Sequence, residues 1–259
     1  AILRMPVPAE AASRALVSHF PHCYDTSVPM HPWSPGQLGL VWAEMLAEAR
    51  RVRAALCGFF NIPAGGVLAR ELPSLTGVAP MPNGTRWFLD VTEFADLDAF
   101  LATMSRATRR TLRLAARRAG AAGAVVTIGR GPGADLDDVV AMCAATAARH
   151  GNHYYPPAAL RAFLDSLDDR LVTITVRLDG RVLAASVCFH DGPVLHTWAG
   201  GAHYPRELNW SPNHVLLHNE LRLAFELGVR RLECGRRNDE FKARHRLRRL
   251  DLVAHLKKL

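Results

Sequence analysis

The sequence is poor in lysine. Of its 32 basic residues only Lys242, Lys257 and Lys258 are lysines, and the rest are arginine. No CxxC spacing joins any of the five cysteines (Cys23, Cys57, Cys143, Cys188, Cys234), which argues against a disulfide framework or a structural zinc site and for a reducing cytoplasm. The twelve histidines show no HExxH spacing, so no metal site is expected. GxSxG and the phosphate-binding P-loop are missing too, which removes the nucleophile-elbow hydrolases and the P-loop enzymes. The longest apolar runs, such as Val182 to Phe189, fall far short of the ~18 residues of a membrane span. No secretory signal pattern opens the chain, and because it starts at Ala1 rather than Met, residues are expected to precede it.

What is present is a globular composition. The 259 residues are 49% apolar and 22% charged, enough for one or two domains with a real core. The net charge of +8 has two readings, an arginine-rich coding bias or a polyanionic partner. The distribution of arginine along the chain bears on that choice. The segment Ser105 to Gly120 reads as a helix carrying Arg106, Arg109, Arg110, Arg113, Arg117 and Arg118 with no acid between them. The first five fall on one stripe, while Leu112, Leu114 and Ala115 lean elsewhere. Like charges at helix spacing repel, so such a stripe suits a phosphate backbone, a solvated surface, or acids such as Asp135, Asp137 and Asp138. A second basic region, Arg236 to Arg249, contains Lys242 and is partly neutralised by Asp239 and Glu240.

The second half has the clearer grammar. Strands are expected at Ala124 to Ile128, Leu171 to Leu178, Arg181 to His190 and Val194 to Ala199, with tight turns at Asp179-Gly180 and Asp191-Gly192. Helices are expected at Asp135 to His150 and Pro157 to Leu167. A further helix should run from about Pro212 to Leu227, capped by Ser211 and ended by Gly228. Strands at Val229 to Gly235 and Arg249 to Leu256 complete the order. In the first half, Pro8 to Phe20 and Gly36 to Arg53 read as helices, and Ala54 to Phe60 and Trp87 to Val91 as strands. Val52 to Asn61 can be laid on Val229 to Asn238, with Val, Arg, Cys, Gly and Asn coinciding, as a duplicated helix-strand unit would leave behind.

Three segments in this order resemble the Fem-like, peptidoglycan-biosynthesis-like branch of the GNAT acyltransferase fold. Leu97 to Val126 resembles its basic connecting helix. Gly228 to His245 resembles its strand-glycine-loop-lysine segment, and "RHGNHYYPPAALRAFL" between them stands where acceptor-facing helices lie. The resemblance implies an α/β fold: a mixed, mostly antiparallel central sheet flanked by helices, preceded by a shortened or degenerate GNAT-like unit. The expected division is residues 1–104 for that first unit, 105–120 for the basic connecting helix and 121–259 for the transferase domain.

The family moves an acyl or aminoacyl group onto an amine, from aminoacyl-tRNA or acyl-CoA. CoA-dependent members hold the pyrophosphate on an [RQ]xxGx[GA] loop, whose amides lie at a helix start. Here the stretch Gly200 to Arg206 has adjacent glycines but not that motif, and it reads as too long a loop. The leading reading is therefore an aminoacyl-tRNA-dependent transferase that forms an amide on a small-molecule or peptide amine, with no other cofactor. The alternatives are an acyl-CoA-dependent N-acyltransferase and a non-catalytic nucleic-acid-binding module.

Lys242 is the expected stabiliser of the tetrahedral oxyanion. Asp239 is the preferred general base over Glu240 and Glu233, the last read as a charge on the outer face of its strand. Tyr204 is a candidate proton donor to the leaving group. Arg106, Arg109, Arg110, Arg113, Arg117 and Arg237 are assigned to tRNA phosphates. His153, Tyr154, Tyr155, His196, Trp198, His203 and Asn238 are assigned to substrate. His196 and Trp198 share one strand face by the period of two.

Overall fold

The structure is a computed structural model and describes residues 14–18, 34–133, 135–151 and 155–259. The chain divides into two compact units. The first comprises Ala1–Arg86, Arg236–Asp239 and Arg249–Leu259, and the second Trp87–Gly235 and Glu240–Arg248.

In the first unit, β1 (Ala15–Val17) lies parallel to β2 (Leu56–Pro63), and the helix α1 (Pro35–Arg51) connects the two. Strand β2 pairs antiparallel with β9 (Arg248–Lys258), with a bulge between Phe59 and Ile62. Helix α2 (Val67–Thr76) and the first half of β3 (Met81–Asp90) complete the unit. Leu38 and Trp42 of α1, Phe59 and Ile62 of β2 and Leu72 of α2 form its core. Gly58 is required there: a Cβ would collide with the His255 carbonyl on β9.

Two sequence expectations change in this unit. Of the helix expected over Pro8 to Phe20, only Arg14 to Ser18 are described, and Ala15–Val17 is a strand because β2 offers it a ladder. Helix α2 was not expected at all. It starts behind a Gly-Gly pair and contains Pro73, punctuation that reads as loop.

The second unit begins with the second half of β3 and the short helix α3 (Leu97–Ala102), then α4 (Arg106–Ala121). The strands β4 (Val125–Arg130), β5 (Leu171–Leu178), β6 (Arg181–Asp191) and β7 (Val194–Ala202) pair antiparallel in succession. Strand β8 (Arg231–Arg236) then pairs parallel to β7 across the connecting helix α7 (Pro212–Glu226). Asp179 and Gly180 both have positive φ, the backbone a two-residue hairpin needs.

Helix α7 covers one face of this sheet, burying Leu216, Leu217, Leu221 and Ala224 with Val172, Ile174 and Val176 of β5. Helices α5 (Leu136–Arg149) and α6 (Pro157–Asp165) cover the other, burying Val139, Cys143 and Leu164 with Ala185 and Val187. Both units contain a strand-helix-strand element with parallel strands, β1-α1-β2 and β7-α7-β8. The two segments aligned in sequence, Val52 to Asn61 and Val229 to Asn238, run from the end of those helices into the second strands.

Candidate active site

The ladder between β7 and β8 is short. Register joins Val194 to Arg231, Leu195 to Leu232 and His196 to Glu233, and stops there, although both strands continue. On the other side of β7 the register to β6 shifts between Val187 and Cys188: Cys188 faces Thr197 and Val187 faces Ala199, so Trp198 is the extra residue of a bulge. Bulges bend strands and re-aim side chains, and they cluster beside active sites. The result is a pair of strands that part beyond His196 and Glu233. Thr197 spans the apex by donating its Oγ1 proton to the Glu233 carbonyl at 3.2 Å.

On the α7 face of this opening sits a carboxyl group that the sequence reading passed over. Glu220 of α7 accepts a hydrogen bond from Ser186 Oγ at 2.7 Å, and burial raises its pKa, against the Ser186 bond and the nearby Lys242 charge, which lower it. Cys188 and Cys234 lie beside it. Burial pushes both thiols up, with Glu220 adding to the effect and Lys242 opposing it at Cys234. They are apolar lining, since a thiol held protonated is a poor nucleophile. Lys242 is thus close enough to act on both Glu220 and Cys234. The signal for Glu220 was present in the sequence: it is the one acid on the otherwise apolar stripe of Leu216, Leu217, Leu221 and Ala224.

Lys242 belongs to a short helix, α8 (Asp239–Arg244), where a loop was expected. His245 closes it. The fully buried ring of His245 bonds through Nδ1 to the Phe241 carbonyl at 2.7 Å and packs at a tilt against Phe241, with ring centroids 4.3 Å apart. His214, in the first turn of α7, packs on both rings. Burial lowers the pKa of His214 and His245 alike, which favours the neutral imidazole in both. This cluster fixes α8, and hence the backbone of Lys242, to the start of α7.

The other expected residues are distributed as follows. Asp239, first in α8, is exposed and accepts from Thr85 Oγ1 at 2.8 Å within the first unit. Arg237 and Asn238 are exposed, have positive φ and belong to the first unit as well. Tyr204 and His203 lie in the connection after β7. The ring of Tyr204 is exposed, while its hydroxyl end lies near Arg149 and Ser211, where burial raises the phenol's pKa. Tyr155 packs edge-on against Trp198 at 5.2 Å. His153 and Tyr154 lie outside the described residues.

Glu233 departs from its expected place. It is 2% exposed, because its strand is internal and its face is covered. The glycines of the supposed loop also move: Gly200 and Gly201 are inside β7, and the connection to α7 begins at His203. A Cβ on Gly200 would meet the Ala185 carbonyl, and one on Gly201 would meet the Thr146 side chain, so close packing explains the pair.

Helix α4 buries Thr108, Leu112, Ala115 and Ala119 and turns its arginines outward. Arg113 pairs with Asp98 at 2.5 Å, and Arg118 donates to the Asn209 carbonyl at 2.8 Å. Arg106, Arg109, Arg110 and Arg117 form no ion pair among the described residues. The acids offered as alternative partners are engaged elsewhere: Asp135 and Asp138 with Arg177, and Asp137 with Arg161. The second basic region is engaged in part. Arg248 pairs with Asp90 and Glu93, Arg249 with Asp251, and Arg236 donates to Asn61 Oδ1 and the Asn83 carbonyl.

The sequence profile described as the acetyltransferase (GNAT) domain matches residues 106–243, from the start of α4 to α8. That is more than half of the chain. It belongs to the GNAT family. Solved structures agree on the fold. FemX superposes with a TM-score of 0.62 at 12% identity, covering 88% of this GNAT chain and 82% of its own. L-PGS from Bacillus licheniformis gives 0.59 at 12% identity, covering 85% and 74%. No curated protein matches the sequence. The GNAT fold is therefore of the Fem-like kind, a mostly antiparallel sheet flanked by helices, and it is an acyltransferase fold. Among the described residues no helix is long and apolar enough to cross a membrane, and no cluster of His, Cys, Asp and Glu could hold a metal.

Proposed function

We propose that this GNAT protein transfers an aminoacyl group from tRNA to an amine, forming an amide. The observation that carries the reading is the outward arginine face of α4, where Arg106, Arg109, Arg110 and Arg117 have no counter-charge among the described residues. A ribose-phosphate backbone is the natural polyanion for such a face, and a carrier held there would gain affinity by releasing counterions. The resemblance to Fem-like proteins implies a tRNA-borne donor. The sequestering of Gly200 and Gly201 within β7 also leaves the start of α7 without the glycine motif of CoA-dependent relatives.

In this reading the ester carbonyl enters where β7 and β8 part. The Lys242 ammonium meets the oxyanion as the amine attacks, and Glu220, held by Ser186, orients that ammonium from the α7 side. Asp239, Tyr204 and Arg237 remain as outer candidates for acid-base work and phosphate binding.

The second reading, an acyl-CoA-dependent N-acyltransferase, is favoured by the family's own description and by the Ser211-capped start of α7. One assay separates the two. Amide formation is followed with charged tRNA and with acetyl-CoA, each with and without ribonuclease. Ribonuclease-sensitive transfer from charged tRNA is expected. Transfer from acetyl-CoA alone would replace the first reading with the second.

A further inference from the structure

The two faces of the strand opening differ in chemistry. The α7 face carries Glu220, Ser186 and Lys242, which suits a polarised carbonyl. On the α5-α6 face, register partners set three side chains in a row across three strands. Phe189 of β6 is paired with His196 of β7, and His196 with Glu233 of β8. Paired residues point to the same side of a sheet, and Leu195, Leu232 and Cys234 occupy the opposite face, in the core with α7. An imidazole therefore stands at the apex of the opening between an aromatic ring and a carboxylate that is 2% exposed.

The aromatic side of this row is larger than one ring. Trp198, displaced by its bulge, packs against Phe189 at 5.2 Å, Tyr155 at 5.2 Å and Phe163 at 5.7 Å. Phe163 is 44% exposed, and the remaining rings are each partly exposed. Clustered aromatic surface of this kind is costly to leave in water unless something covers it in use. Its position next to His196 says what that something carries: a group whose reactive atom reaches the strand opening.

We propose that this face is the acceptor subsite, taking a primary amine borne on a flat, apolar ring. The ring stacks on the Trp198-Phe189 surface, and the ammonium gives one proton to His196, whose imidazolium is stabilised by the neighbouring Glu233 carboxylate. The neutral amine then attacks the carbonyl, a C–N bond forms, and the carrier's C–O bond breaks. The second amine proton leaves with the carrier oxygen, and His196 returns its proton to solvent. His196 is the catalytic residue and Glu233 a positioning residue. Charged neighbours on the packed elements include Arg231 of β8, two residues before Glu233 on the same face and paired with Asp90, Arg149 of α5, which donates to the Ala202 carbonyl, and Arg161 of α6, paired with Asp165 at 2.9 Å and with Asp137; His190 lies on the opposite face of β6. The aminoacyl or acyl transfer of the preceding reading is presupposed, but the binding arm of the test is independent of it.

Tryptamine and n-butylamine carry the same charge and differ in the ring. Titrated into the full chain and followed by ligand-observed NMR, tryptamine is expected to bind about tenfold more tightly. Trp198→Ala should erase that preference, Trp198→Phe should keep most of it, and Phe163→Ala, at an exposed position, should reduce it without altering thermal unfolding. Equal binding of the two amines, no binding of either, or a preference that survives Trp198→Ala and Phe163→Ala together overturns the subsite. With whichever donor supports transfer, His196→Gln should lower kcat about a hundredfold. Glu233→Gln should move the acid limb of the kcat profile to lower pH while leaving the donor KM unchanged. An unaltered profile in both variants removes the proton-transfer role. Loss of transfer with every donor in the unmodified protein overturns the transferase reading and leaves the tryptamine result standing.

Discussion

At the scale of single residues, the chemistry is governed by how each charge is surrounded. The Lys242 charge lies near Glu220 and favours its carboxylate form against burial. Lys242→Ala should cut amide formation by roughly two to three orders of magnitude, the usual worth of one oxyanion-stabilising donor. RNA binding, measured by filter retention, should be unaffected, and full transfer activity in this variant would remove the lysine from the mechanism. Glu220→Gln preserves the bond from Ser186 but removes the charge facing Lys242. It is expected to lower kcat with little change in thermal midpoint. At Gly201 the argument is steric: a Cβ would overlap Thr146, so Gly201→Ala should destabilise by about 1–3 kcal/mol in a urea titration.

At the scale of elements, α4 is a helix with two jobs. Its Thr108-Leu112-Ala115-Ala119 stripe seals one face of the second unit, and of its outward arginines only Arg113 and Arg118 find partners among the described residues, Asp98 and the Asn209 carbonyl. Replacing Arg106, Arg110 and Arg117 together with alanine should weaken binding to tRNA and lower the salt slope of that binding by about 2–3, with the thermal midpoint unchanged, since none of the three is in an ion pair among the described residues. An unaltered salt slope would move the polyanion site off this helix. Helix α8 shows why the neighbouring segment was harder to read. Six residues give no periodicity to detect, and its stability comes from the His245-Phe241-His214 packing, which joins residues about thirty apart in sequence.

At the scale of the whole molecule, pH dependence follows from groups buried in their neutral forms. His214, His245 and His255 have folded-state pKa values pushed below the ordinary 6.5 by burial. The folded protein therefore binds fewer protons than the unfolded chain in mildly acidic solution. Stability is fully present above the unfolded histidine pKa and falls as pH drops below it. Burial acts in the other sense on the thiols. Cys143 is pushed up to about 12, and Cys188 and Cys234 are raised as well, so the folded chain keeps protons the unfolded chain releases above the ordinary thiol range. Urea midpoints should describe a plateau near neutrality that declines below about pH 6 and above about pH 9. His245→Phe should flatten part of the acid decline.

The order of elements from β4 to β8, and the last strand, was legible in the sequence, because hydrophobic period, proline at helix starts and Asp-Gly turns are local signals that survive in the tertiary structure; α8 between them was not. So was the outward stripe of α4, which depends only on helical spacing. What tertiary structure alone decided was which groups meet. Glu220 looked like one residue of an apolar stripe until β6 brought Ser186 and α8 brought Lys242 beside it. Glu233 looked like an outer charge until β8 proved internal to the sheet. Gly200 and Gly201 looked like a loop until β6 and α5 closed on them. Each reversal has one physical cause: a residue's exposure and partners are set by strand order and by where a ladder ends, and neither is encoded within reach of a local pattern.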